Sequence, residues 1–84
     1  MNESYKTALV TGAASGIGRA TAFLLAETGY RVLCSDISAK GAQEVASEIC
    51  ANGADAIAVK ADVSDPDSVD TMVQKMIEWA GRID

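Results

Sequence analysis

Three short runs, Ala8-Leu9-Val10, Val32-Leu33-Cys34 and Ala56-Ile57-Ala58-Val59, are apolar without alternation, the pattern of strands covered on both faces of a sheet. Between and after them the apolar period lengthens to that of a helix. Ile17, Ala20, Thr21 and Leu24 predict the inward face of a first helix that ends near Gly29. Ala42, Val45, Ala46 and Ile49 predict that of a second, closed by Asn52-Gly53.

Asp65-Pro66 announces a third helix, because Asp65 can accept from orphan N–H groups and Pro66 suits the first helical position. Val69, Met72, Val73, Met76, Ile77 and Ala80 then predict a buried stripe with the methionines as core filler, and Gly81 predicts its end. The order βαβαβα predicts an α/β fold with a parallel sheet, right-handed crossovers and helices on the sheet faces. No repeat, low-complexity tract or Pro/Gly/Ser-rich linker divides the chain, so one domain is expected. At 84 residues its core should be marginal.

Composition narrows the choice of partner. The formal net charge is −5 with no cluster of Lys or Arg, which disfavours nucleic-acid backbones and anionic membranes. Histidine is absent and the two cysteines, Cys34 and Cys50, form no CxxC pair, so neither a zinc site nor a Cys/His nucleophile is predicted. Met1 to Lys6 holds no apolar stretch with a basic flank, and no window approaches the roughly 20 apolar residues that span a bilayer. These features predict a cytoplasmic protein with reduced thiols, Cys34 on a buried strand and Cys50 near a helix end.

The strongest local signal is Thr11-Gly12-Ala13-Ala14-Ser15-Gly16-Ile17-Gly18, between the first strand and the first helix. A strand entering a helix through such a turn aims several backbone N–H groups and the positive end of the helix dipole at one spot, which suits a pyrophosphate. Gly12 supplies a backbone conformation closed to other residues, Gly16 removes a Cβ from the path of the phosphates, and Gly18 lets the helix lie close. Ala13, Ala14 and Ser15 keep the turn small. Ser15 adds a hydroxyl donor, and Ile17 is expected to seat the helix start on the sheet while its N–H faces the ligand. No Gly-Lys-Ser/Thr follows, which excludes a P-loop.

Asp36 ends the second strand 18 residues after Gly18, close to the separation of about 20 expected for an acid that binds the adenosine ribose. A carboxylate there repels a 2′-phosphate, and neither Ser15 nor Ile37 is basic, so NAD is predicted over NADP. Asp36 can instead, or in addition, cap the helix that begins near Ser38. Asp62-Val63 follows the third strand at the end where open parallel sheets bind ligands. Asp62 is read either as a contact to the adenine amino group or as a turn residue.

Thr11-Gly12-x-x-x-Gly16-Ile17-Gly18, with Asp36 and Asp62-Val63 behind it, resembles the short-chain dehydrogenase/reductase family. The glycine spacing differs from GxGxxG and from the TGxxGxxG of the extended, epimerase-like branch. The resemblance implies that residues 1–84 are a partial NAD(P)-binding domain, the N-terminal half of a Rossmann-type doubly wound parallel sheet in the order 3-2-1-4 onward. Gly81-Arg82-Ile83-Asp84 would then approach a fourth strand, and the chain would stop before it, leaving one side of the first strand unpaired. It further implies that Gly12, Ser15, Gly16, Ile17 and Gly18 surround the pyrophosphate, that Asp36 holds the adenosine ribose, and that Asp62 and Val63 border the adenine. The implied activity is hydride transfer between NAD(P) and an alcohol or ketone, in a full-length form that is a homo-oligomer.

Family chemistry uses a tyrosine with a lysine four residues later and a serine. Leu9 stands four after Tyr5 and Cys34 four after Tyr30, and the family's Asn-Asn-Ala-Gly segment is absent, so no catalytic residue is assigned. Tyr5 and Tyr30 are read as packing residues. Three readings follow: the cofactor half of an oxidoreductase, a non-catalytic nucleotide-binding or regulatory half-domain, or an inert fragment.

Overall fold

The computed structural model describes residues 6–84, so Tyr5 and most of the Met1–Lys6 segment lie outside the described residues. Its elements are β1 (Thr7–Val10), α1 (Gly16–Glu27), β2 (Arg31–Asp36), α2 (Ala39–Ala51), β3 (Ala56–Lys60) and α3 (Pro66–Ala80), the predicted order. β2 lies between β1 and β3 and is parallel to both, with Leu33 opposite Leu9 on one side and Ile57 on the other.

Alternation along β2 divides the core into two layers. Val32 and Cys34 pack with Ala22 and Ala26 of α1 and Val45, Ala46 and Ile49 of α2. Leu33, between them in sequence, packs on the opposite face with Met72 and Met76 of α3. All four residues predicted for the inner face of α2 are buried, and both methionines are core. Continuous burial holds only for β2, from Val32 to Ser35; β1 and β3, with β2 on one side each, keep partly exposed positions.

Helix phase differs from expectation in α1. Ile17, Ala20, Thr21 and Leu24 are exposed, Ile17 by 86 % and Leu24 by 62 %. The inner ridge is Gly18, Ala22 and Ala26 at i, i+4 spacing, small residues that allow close approach, with Phe23 and Leu25 at its flanks. Ile17 therefore does not seat the helix start on the sheet. In α3, Val69, Met72, Met76 and Ala80 face inward as predicted, whereas Val73 and Ile77 are exposed.

Helix ends follow their sequence signals. Asp65 accepts from the Asp67 N–H, Pro66 opens α3, and Gly81 closes it with φ 82° and an N–H bonded to the Ile77 carbonyl. Beyond Gly81 the chain lies against β1 on the side away from β2. The Asp84 N–H donates to the Thr7 carbonyl at 3.0 Å, the Thr7 N–H donates to Asp84 Oδ2 at 2.9 Å, and Thr7 Oγ1 donates to the Arg82 carbonyl at 2.6 Å. This is where a 3-2-1-4 order places a fourth strand. Tyr30 packs against the α1/α2 layer, as expected.

Candidate functional site

The site forms where the C-terminal ends of the three strands meet the turn after β1. In that turn Gly12 and Gly16 adopt φ of 66° and 61°, in the left-handed region where a Cβ is strained. A Cβ on Gly18 would lie 2.0 Å from the Gly12 carbonyl oxygen, so the third glycine seats the first turn of α1 on the backbone that leaves β1. A Cβ on Gly16 would meet nothing within 4 Å and would project into open space in front of the helix.

That open end of α1 is electropositive. The first N–H groups of a helix have no partner within it, and no acidic residue lies in the first turn of α1 to answer them. Ser15 occupies the N-cap position in extended backbone, yet its side chain makes no capping hydrogen bond. Gly16, Ile17 and Gly18 thus offer backbone donors, and Ser15 a hydroxyl, to an anion in front of the helix.

The turn is fastened to the end of β2. The Ala13 N–H donates to the Ser35 carbonyl at 2.9 Å and the Ala14 N–H to Asp36 Oδ2 at 3.0 Å. Asp36 Oδ1 accepts the Ser38 N–H at 2.9 Å. These backbone donors, Ser38 first and Ala14 second, hold the Asp36 carboxyl below the usual carboxylate range, so it is anionic at neutral pH. The helix cap is Ser38, whose Oγ accepts the Gly41 N–H at 3.0 Å; Asp36 stands two residues earlier, as a brace between the turn and α2.

Asp62 adopts the turn geometry considered for it. Its Oδ1 accepts from both the N–H and the hydroxyl of Ser64, at 2.9 and 2.6 Å, and the Ser64 bonds lower its pKa. Its own N–H donates to Ser68 Oγ at 2.9 Å, which fixes the loop into α3.

A groove of about 390 Å³ runs between these segments. It brings together Gly12, Asp36, Asp62 and Val63, whereas Ser15, Gly16, Ile17 and Gly18 lie outside its lining, at the adjoining helix end. Sequence reasoning missed three contributors. Ile37, 63 % exposed like the predicted Val63 beside it, offers apolar surface to the groove that a flat base can cover. Ser35 also lines it; its hydroxyl is buried with no hydrogen-bond partner among the described residues. A polar side chain at the end of an otherwise apolar strand was the available signal. Ala14, the third, had none beyond its small size.

A larger cavity, about 760 Å³, lies at the other end of the sheet, bordered by Phe23, Tyr30, Arg31, Ile49 and Asp55. It is remote from the turn and from the strand ends at which parallel sheets bind ligands. No cluster of potential metal ligands occurs among the described residues, and no helix among them is long and apolar enough to cross a membrane.

A family model described as short chain dehydrogenase matches residues 6–84, and the chain belongs to that family. It is 44 % identical to the cis-4-hydroxycyclohexanecarboxylate dehydrogenase of Sinomonas cyclohexanicum over 86 aligned residues, covering 100 % of this chain and 34 % of that protein. It is 38 % identical to the 3-oxoacyl-[acyl-carrier-protein] reductase FabG of Thermotoga maritima, covering 94 % of this chain and 32 % of that protein. A crystal structure of hydroxysteroid dehydrogenase from Escherichia coli superposes with a TM-score of 0.92 at 34 % identity, over 94 % of this chain and 34 % of that one. The chain spans about a third of the length of these relatives. The Rossmann-type fold and the oxidoreductase family are thereby established.

Proposed function

We propose that residues 1–84 form the NAD-binding part of a dehydrogenase that transfers hydride between a nicotinamide cofactor and an alcohol or ketone. The observation that carries this reading is an uncapped, acid-free helix start adjoining a groove that anionic Asp36 lines. Gly12, Ser15, Gly16, Ile17 and Gly18 receive the pyrophosphate, Asp36 the 2′- and 3′-hydroxyls of the adenosine ribose, and Asp62 and Val63 the adenine, with Ile37 against the base.

NAD is preferred because a 2′-phosphate would be brought against the Asp36 carboxylate. Braced on both oxygens, Asp36 cannot turn away without releasing Ala14 or Ser38. The space beside Gly16 is open, with nothing within 4 Å of where a Cβ would stand, which leaves the backbone accessible to a phosphate. The bound dinucleotide supplies the hydride carrier. The residues of this chain bind and orient it, and none is assigned to proton transfer because no tyrosine here is followed four residues later by lysine. The names of the relatives, dehydrogenases of hydroxycyclohexane compounds and a reductase of a 3-oxo group, favour alcohol and ketone substrates. We place the protein in the cytoplasm and its full-length form in a homo-oligomer, in keeping with the sequence and with the family resemblance.

Titration with NADH and NADPH, followed by nicotinamide fluorescence, tests the reading. NADH should bind about tenfold or more tighter, a difference of about 1.4 kcal/mol. Equal affinity overturns the ribose assignment, and failure to bind either overturns the dinucleotide reading as a whole.

A further inference from the structure

Gly41 is the third residue of α2, and like Gly18 it lacks the positive φ that explains the other five glycines, Gly12, Gly16, Gly29, Gly53 and Gly81. Glycine inside a helix costs about 1 kcal/mol relative to alanine, so its presence here calls for a steric reason. That reason is Ala14. A Cβ built on Gly41 would lie 2.6 Å from Ala14 Cβ, closer than real side chains approach, with Ser38 Oγ at 3.1 Å. The Ala14 methyl therefore fills the space that a side chain at position 41 would take.

The same alanine is held from its other side. Its N–H donates to Asp36 Oδ2, Asp36 Oδ1 accepts the Ser38 N–H, and Ser38 Oγ accepts the Gly41 N–H, closing a ring of contacts at 3.0, 2.9 and 3.0 Å. Displacing Ala14 moves the middle of the turn, one residue before Ser15 and two before Gly16. We propose that Gly41 is a positioning residue for the phosphate turn: Gly41 and Ala14 share room for one methyl group, and through that fit α2 sets the placement of the N–H groups that receive the pyrophosphate. The proposal rests on the dinucleotide reading above and adds to it a residue from outside the groove.

A double-mutant cycle in the intact protein tests it, with Gly41→Ala, Ala14→Gly and the two combined. Two readouts are taken: NADH affinity, and the hydrogen-exchange protection of the Ala14 amide (residue 14 in every variant) measured by NMR without cofactor. Gly41→Ala should weaken NADH binding about tenfold and reduce protection at position 14, and adding Ala14→Gly should restore both to within about threefold of the unmutated protein. A merely local role for Gly41 in α2 predicts the reverse, a higher thermal midpoint from the better helix former with NADH affinity unchanged. Unchanged NADH affinity in Gly41→Ala, or a double variant no better than the single one, overturns the proposal. If Gly41→Ala is too unstable to assay, the double variant decides alone, since it must fold and bind NADH near normally. Loss and rescue of protection at position 14, with no NADH binding even by the unmutated protein, would uphold the steric fit, refute its cofactor role, and locate the failure in the dinucleotide reading.

Discussion

Asp36 Oδ2 accepts the Ala14 N–H at 3.0 Å, so the acid at the end of β2 is bonded directly to the turn that follows β1. A ribose-binding acid is usually considered for its contacts to the cofactor alone. Here removing it also releases the Ala14 and Ser38 amides. Asp36→Ala should therefore weaken NADH more than the loss of ribose hydrogen bonds explains, while narrowing the NADH/NADPH ratio about tenfold. Asp36→Asn keeps an acceptor for one amide and should fall between. Affinities of both cofactors for the three proteins check this; a ratio unchanged in Asp36→Ala would remove the aspartate from the ribose site.

The same contacts fix a pH dependence. The folded-state pKa of Asp36 is depressed, chiefly by Ser38 and then by Ala14, so its contribution is complete above the unfolded value of about 4 and is lost as pH falls through the folded value. Asp84 acts in the same direction, with its carboxylate bonded first to Arg82 and then to the Thr7 N–H. Stability should be level from about pH 5 to about pH 8 and decline below about pH 4. Asp36→Asn should flatten part of that decline in chemical denaturation at stepped pH. An acid limb unaltered by both Asp36→Asn and Asp84→Asn would show that these bonds contribute little.

The glycines of the turn should separate by mechanism. Gly18→Ala drives a Cβ to within 2.0 Å of a backbone oxygen that no rotamer can relieve, so it should lower the thermal midpoint severely. Gly16→Ala meets open space and carries only the strain of φ 61°, about 1–2 kcal/mol, yet it places a methyl where the proposed function brings the phosphates. It should fold and lose NADH affinity. Thermal melts with and without NADH distinguish the two, and a Gly16→Ala protein that binds NADH normally would move the pyrophosphate away from that residue.

Strands, helix caps and the glycine turn were legible because each depends on residue types with few alternatives: Pro66 at a helix start, Gly81 at φ 82°, and the continuously apolar Val32-Leu33-Cys34. The phase of α1 was not. Its buried ridge consists of Gly18, Ala22 and Ala26, whose small side chains carry little hydrophobic signal, and the larger Ile17 and Leu24 on the outer face dominate the pattern. The glycine turn, Asp36 and Asp62-Val63 could be singled out along the chain, but not the contacts that connect them. That Asp36 braces Ala14, and that Gly41 makes room for it, depends on how α2 lies over the turn, which residue spacing along the chain does not encode.

Ser35 gives a prediction of unusual sign. Its hydroxyl is buried beside the groove without a hydrogen-bond partner among the described residues, and a buried unsatisfied group costs about 1–3 kcal/mol. Ser35→Ala should therefore raise the stability of the cofactor-free protein by about 1 kcal/mol, measured by urea denaturation. Destabilisation of that size instead would mean that the hydroxyl is paired in solution.

The two thiols should differ sharply in reactivity. Cys34, fully enclosed between the sheet and the α1/α2 layer, has its pKa pushed up to about 11, first by burial and second by the neighbouring Cys50. Cys50 is exposed on α2 while its Sγ lies 3.3 Å from the Ala56 carbonyl. Because the thiolate is the nucleophile, iodoacetamide at about pH 8 should label Cys50 in the native protein and Cys34 only after unfolding. Since the folded pKa of Cys34 is raised, the folded state holds its proton more tightly, and the destabilising effect of that thiol grows only as pH rises through the unfolded value of about 8.5. Peptide mass spectrometry before and after denaturation reads both sites at once. Prompt native labelling of Cys34 would show that the α1/α2 layer opens readily, and the packing of Ala22, Ala26 and Val45 over β2 would have to be looser than the structure has it.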